Sequence, residues 1–201
     1  MTIRVNAIAV ALLLTVPAAH ADGVYYGVGF GYADSTSEPE FGDNSSGGYP
    51  TIGATLGYKR EQGNYFYAGE IDIDVPVGDA ELSFEDVTCD DGFADGPYFC
   101  THTSTVRLRS LAGVELSNGI DVFGTIGIAF MSGEGAIEPT GETDTGTASG
   151  ATVGFGAQIP VGSGSMRLEL IYDNLENTGT LPDDVYEPTF ESVSLKTTYL
   201  F

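Results

Sequence analysis

Phe190-Glu-Ser-Val-Ser-Leu-Lys-Thr-Thr-Tyr-Leu-Phe201 is the stretch whose reading decides the fold. Val193, Leu195, Thr197, Tyr199 and Phe201 fall on one parity and Ser192, Ser194, Lys196 and Thr198 on the other, with Leu200 breaking the pattern at the end. A period of two over this length is a β-strand with one apolar face. A long strand with an open edge invites pairing with another chain. The stretch therefore predicts a partner strand earlier in the chain and a sheet that closes on itself.

The same alternation recurs seven times upstream. Val24, Tyr26, Val28, Phe30 and Tyr32 alternate with Gly27, Gly29 and Gly31; Ile52, Ala54, Leu56 and Tyr58 define a second strand; Tyr67, Ile71 and Ile73 oppose Glu70, Asp72 and Asp74 in a third. A fourth places Val106, Leu108, Ala112 and Val114 opposite Arg107 and Arg109, and a fifth Val122, Ile126, Ile128 and Phe130 opposite Asp121, Thr125, Gly127 and Ala129. In the sixth, Ala151, Val153, Phe155 and Ala157 oppose Thr152, Gly154, Gly156 and Gln158; in the seventh, Met166, Leu168, Leu170 and Tyr172 oppose Arg167, Glu169 and Asp173. The G-x-G-x-G of the first strand lacks the helix that a phosphate-binding loop opens, so its glycines read as small residues on a crowded inner face. Connections alternate long and short, with polar loops expected over Ala33 to Tyr49, Pro76 to Thr103, Ser132 to Ala148 and Asn174 to Pro188. Strands of about ten residues, short turns at one end and long loops at the other are the pattern of a transmembrane β-barrel. An even strand count puts both termini on the periplasmic side.

Composition narrows the function. The 201 residues carry 7 Lys+Arg against 29 Asp+Glu, a formal net charge of -22. Nucleic acid is excluded as a partner, because phosphate contacts need clustered Lys and Arg. Arg4, the apolar run Ile8 to Val16 and Ala19-His20-Ala21 have the three parts of a secretory signal. Residues 1–21 are expected to be removed, leaving 22–201 as the barrel domain in an exported, disulfide-permissive compartment.

The chain resembles the small eight-stranded outer-membrane barrels of Gram-negative bacteria, the OmpA/OmpX/opacity-type superfamily. The resemblance rests on Val24-Tyr-Tyr-Gly-Val-Gly-Phe-Gly-Tyr32, Tyr67-Ala-Gly-Glu-Ile71 and Thr197-Thr-Tyr-Leu-Phe201. It implies an all-β, antiparallel, up-and-down barrel in the cell outer membrane, reached through the Sec pathway and surrounded by lipid and lipopolysaccharide. It also implies that Tyr199 and Phe201 belong to a C-terminal signal read by the barrel-assembly machinery. The chain is expected to be a monomer.

Inside an eight-stranded barrel there is room for side chains and little else. Glu70, Asp72, Asp74, Asp121, Glu169 and Asp173 are expected to share the lumen with Arg107, Arg109, Arg167 and Lys196 as a salt-bridge network that plugs it. The excess of carboxylates leaves a small cation-selective, porin-like channel as the alternative. Two other readings are weighed: a soluble, lipocalin-like ligand carrier, and a lipid-A-modifying enzyme built on His102. The first would turn the apolar face inward. The second would need a serine and a carboxylate beside His102, and the residues around it read instead as a solvated loop; no enzyme and no cofactor is expected.

Cys89 and Cys100, both in the longest loop, are expected to form a disulfide, with two free thiols or an intermolecular link as alternatives. Acidic pairs such as Asp90/Asp91 and Asp183/Asp184 offer oxygen ligands but no EF-hand spacing. They read as a soluble, self-repelling surface, with divalent bridging to lipopolysaccharide phosphates as a weaker reading, and no resident metal is expected.

Overall fold

In the computed structural model the structure describes residues 22–38, 44–78, 80, 82–84, 87–88, 101–137, 142–177 and 189–201. The strands are β1 (Gly23–Glu38), β2 (Ser45–Gln62), β3 (Tyr65–Pro76), β4 (Ser83–Phe84), β5 (Val87–Thr88), β6 (Thr101–Glu115), β7 (Asp121–Ile137), β8 (Glu142–Val161), β9 (Gly164–Asn177) and β10 (Thr189–Leu200). The eight long strands pair antiparallel with their neighbours, and β1 pairs with both β2 and β10. The C-terminal strand meets the first through Gly27↔Leu200, Phe30↔Thr197 and Tyr32↔Leu195, so the sheet has no open edge at this seam.

The register fixes the barrel's shape. A row of partners starting at Arg60 on β2 runs through Tyr67, Ala112, Gly124, Phe155, Leu170, Leu195 and Tyr32 and returns to β2 at Pro50. One circuit thus ends ten residues from where it began. With about 3.3 Å per residue and about 4.8 Å between strands, that stagger tilts the strands by about 40° from the barrel axis. Turns containing Gly63, Gly119 and Gly162, each with positive φ, join β2–β3, β6–β7 and β8–β9 at one end.

Alternation sets which side each residue faces. Val28, Phe30, Ile126 and Phe155 are 58%, 60%, 65% and 64% exposed although large and apolar, and comparable residues surround the wall. A soluble barrel would bury these side chains and present its charges. Here the charges are inside and the apolar belt is outside, which only hydrocarbon can solvate without penalty. The lipocalin-like orientation is thereby overturned.

The eight barrel strands are longer than the ten residues expected, from 12 in β3 and β10 to 20 in β8. Ala33 to Tyr49 and Ser132 to Ala148, expected as loops, are largely ladder: Ala33 pairs with Tyr49, Ser35 with Gly47, and Ile137 with Glu142. Here the outward residues, such as Asp34 and Thr36, are polar, so pairing continues where the apolar signal has stopped. The segment after β3 also turns back over the barrel. Val77 donates its amide to Pro50 at 2.8 Å, the His102 amide donates to Ala80 at 2.9 Å, and Ser46 on β2 pairs with Ser83 on β4. These bonds hold Ala80 and Leu82, both buried, at the barrel mouth.

Candidate functional site: the filled lumen

The interior has three tiers. At the short-turn end Tyr25, Phe66, Ala68, Leu111, Phe123 and Leu200 form one buried cluster. Phe66 and Phe123 meet edge to face at 6.3 Å, and two cations lie over these rings: the Lys59 ammonium 4.4 Å from Phe66, the Arg167 guanidinium 5.0 Å from Phe123. Such contacts favour a cation already removed from water. Leu200, which broke the alternation of hydrophobic residues in β10, keeps its inward direction and completes this tier.

The middle tier is ionic. Arg107 reaches Asp173 at 2.6 Å, Asp74 at 2.5 Å and Asp72 at 3.3 Å. Arg109 bridges Glu70 and Glu169, both at 3.1 Å; Arg167 pairs with Glu70; and Lys196 holds Asp72 at 2.6 Å and Asp74 at 2.7 Å. Neutral donors complete the carboxylates: Thr55 donates to Asp72 and Tyr25 to Glu70, both at 2.6 Å. Every side chain named is buried. A buried charge is tolerated when paired and hydrogen-bonded, and consecutive strands arrange this directly, since Glu70 lies opposite Arg109 and Asp72 opposite Arg107.

Glycine on β2 makes the room. A Cβ on Gly53 would strike the Asp74 carboxylate and come within 2.9 Å of the Lys196 ammonium, and one on Gly57 would strike the Tyr25 ring. The small inner residues of the sequence pattern thus sit where long polar side chains from other strands converge.

The upper tier mixes apolar clusters with a buried hydroxyl chain in which Ser35 meets Tyr49 at 2.8 Å and Ser192 at 2.9 Å. Leu82, Ala129, Met131, Ala148, Leu175 and Phe190 form one buried cluster, and Ala33, Tyr49 and Ala80 another. Leu82 and Ala80 come from the segment that folds back over the mouth, so the outer end is closed by loop and wall together.

The structure brings Glu70, Asp72, Asp74, Arg107, Arg109, Arg167, Glu169, Asp173 and Lys196 into one network. Asp121 stands apart, 3.0 Å from Lys59 near the short turns. Lys59, Thr55, Tyr25 and Gln158, which accepts from Arg167 Nε at 3.2 Å, were not anticipated. Lys59 was legible, because it has the same parity as Thr51 and Thr55. Tyr199 and Phe201 lie on the outer wall: Phe201 stacks on Tyr26 at 5.2 Å and meets Tyr199 edge to face at 4.8 Å. Cys89 and Cys100 lie outside the described residues.

His102 is a correction. Expected in a solvated loop, it is 7% exposed, with Nδ1 bonded to the Tyr49 hydroxyl and Nε2 2.8 Å from Thr105 Oγ1. The cause is a β-bulge between His102 and Ser104. One extra residue switches parity, so His102 points inward although Arg107 and Arg109, of opposite parity, do so too.

Closed eight-stranded register, an apolar outer belt and a charged core define an integral β-barrel of the outer membrane. Residues 7–184 match the family described as outer membrane protein beta-barrel domain, and the chain belongs to that family. A solved structure agrees on the fold. The attachment invasion locus protein Ail of Yersinia pestis, in complex with the heparin analogue sucrose octasulfate, is 12% identical with a TM-score of 0.51, covering 89% of this chain and 99% of that one. Neisserial surface protein A is 11% identical with a TM-score of 0.45, covering 87% and 98%. No curated protein matches.

Proposed function

We propose that the protein is a non-enzymatic outer-membrane barrel whose lumen is closed and whose working surface is its set of acidic outer loops. The observation that carries this reading is the three-tier filling: apolar plugs at both ends enclose a paired ionic core. A path for ions would have to part Phe66 from Phe123 below and displace Leu82 and Phe190 above, in addition to breaking the network. Against catalysis stands the setting of His102, which is buried and whose ring nitrogens meet the Tyr49 and Thr105 hydroxyls, so neither is bonded to the carboxylate that a Ser-His-acid set requires.

Residues 33–50, 76–103, 132–148 and 174–190 contain no Lys or Arg. A polyanion such as the heparin analogue bound by Ail therefore has no cationic loop to meet here, and the loops suit a neutral or cationic surface instead. We assign the Cys89–Cys100 pair to a disulfide that orders the longest loop, and Tyr199 with Phe201 to recognition by the assembly machinery. We propose that the barrel sits in the membrane as a monomer, after removal of residues 1–21. The closed lumen is tested by ion flux into liposomes carrying the refolded protein. Flux equal to that of protein-free liposomes is expected; rapid, protein-dependent cation entry would favour the small-channel reading.

A further inference from the structure

The outer wall is not uniform. A groove of about 640 Å³ crosses it from β6 to β10, with Ala112, Gly124 and Ala157 along its length and Phe155, Leu168 and Leu195 as raised sides. Its low end, at Val114 and Val122, is next to the short turn containing Gly119. Its high end is Leu195 on β10. With strands tilted about 40° and each strand-to-strand step rising with the stagger, the groove climbs roughly 17 Å. That is close to the depth of one leaflet, half of the roughly 30 Å hydrocarbon core.

At the foot of the same wall stands Arg60. Five of the six Lys and Arg residues after residue 22, namely Lys59, Arg107, Arg109, Arg167 and Lys196, are buried inside, and Arg60 is exposed outside. It lies directly across from Tyr67, which pairs in turn with Ala112 of the groove. Tyr58, two residues away on the same face, is 54% exposed and Tyr67 50%. Nearby charges are few: Asp22, whose carboxylate accepts the Glu61 amide at 2.6 Å, and Glu61 itself, paired inward with Lys59 at 2.9 Å. An arginine flanked by tyrosines at the short-turn end of a membrane strand is at headgroup level, and guanidinium matches phosphate geometry.

We infer that this wall carries a site for one anionic phospholipid of the periplasmic leaflet, its phosphate at Arg60 between Tyr58 and Tyr67 and one acyl chain along the groove from Val114 to Leu195. Charge selects the lipid, because Arg60 is the single outward cation among the described residues. Shape retains it, because Ala112, Gly124 and Ala157 leave a continuous recess between Phe155, Leu168 and Leu195.

The test is native mass spectrometry of the barrel released from detergent micelles containing equal phosphatidylglycerol and phosphatidylcholine. The wild type is expected to retain one phosphatidylglycerol in preference to phosphatidylcholine by about five-fold, the selectivity one interfacial cation supplies. Arg60→Gln should abolish the preference, and Gly124→Leu, which fills the recess, should lower retention of both lipids. Both residues face away from the lumen, and heat-dependent gel migration verifies that each variant is folded. Equal retention of the two lipids by the wild type, preferential retention of lipopolysaccharide when it is added, or folded variants indistinguishable from wild type would each overturn the assignment.

Discussion

Replacing Arg107 by Met keeps most of the side-chain length and removes the charge at the centre of the network. Arg107 meets Asp173 through Nε and Nη2, Asp74 through Nη1 at 2.5 Å and Asp72 at 3.3 Å. Lys196 still neutralises Asp72 and Asp74 in the variant, at 2.6 and 2.7 Å. Asp173, fully buried, loses these contacts. Removing one partner of a buried ion pair costs about 3–5 kcal/mol, because the other charge is left uncompensated. At a denaturant slope of about 2 kcal/mol per M urea, the unfolding midpoint should fall by about 2 M. The assay is urea unfolding of the refolded barrel in detergent, read by the heat-dependent shift of gel migration and by strand circular dichroism. Asp173→Leu in the Arg107→Met background should recover part of the loss, because it removes the stranded carboxylate. If the single variant unfolds at the wild-type midpoint, or if the second substitution adds its full cost, Arg107 and Asp173 are not coupled and the ionic tier does not hold the lumen as described.

Other outcomes follow from the same geometry. Gly53→Leu should destabilise the barrel by at least as much as a typical overpacking change, about 1–3 kcal/mol, because the new side chain must occupy the place of the Asp74 carboxylate and the Lys196 ammonium; thermal unfolding checks it. Deleting Phe201 removes its stacking on Tyr26 and the hydrogen bond its backbone amide donates to the Tyr26 carbonyl at 2.8 Å; membrane insertion in cells should fall, while refolding into detergent is impaired less. Unreduced protein should expose no alkylatable thiol at Cys89 or Cys100, and reduction should add two protons to the intact mass.

The fold was legible because membrane strands report it residue by residue. Val28 and Phe30 must meet lipid, Gly29 and Gly31 must not crowd the lumen, and the parity that separates them is visible without coordinates. Strand ends were not legible, since around Ser35 and Ser37 the outward residues, Asp34 and Thr36, are polar and no contrast between faces marks the ladder. The ionic core was half legible: opposite charges on consecutive strands, Glu70 with Arg109, can be paired on paper. Pairs that cross the lumen, Arg107 with Asp173 or Lys196 with Asp72, depend on the stagger and could not be. The apolar plugs were hidden for a different reason. Tyr25, Phe66, Phe123 and Leu200 interrupt the contrast between faces, so inward aromatic residues read as noise until the barrel closes around them. His102 was misplaced by one inserted residue that leaves no mark in composition.

The closed lumen is the central claim, and single-channel recording in a planar bilayer tests it most directly. The refolded wild-type barrel should give no stable conductance steps, because aromatic and aliphatic side chains seal both ends of a paired ionic core. Reproducible, large, long-lived steps under neutral, moderate-salt conditions would contradict it.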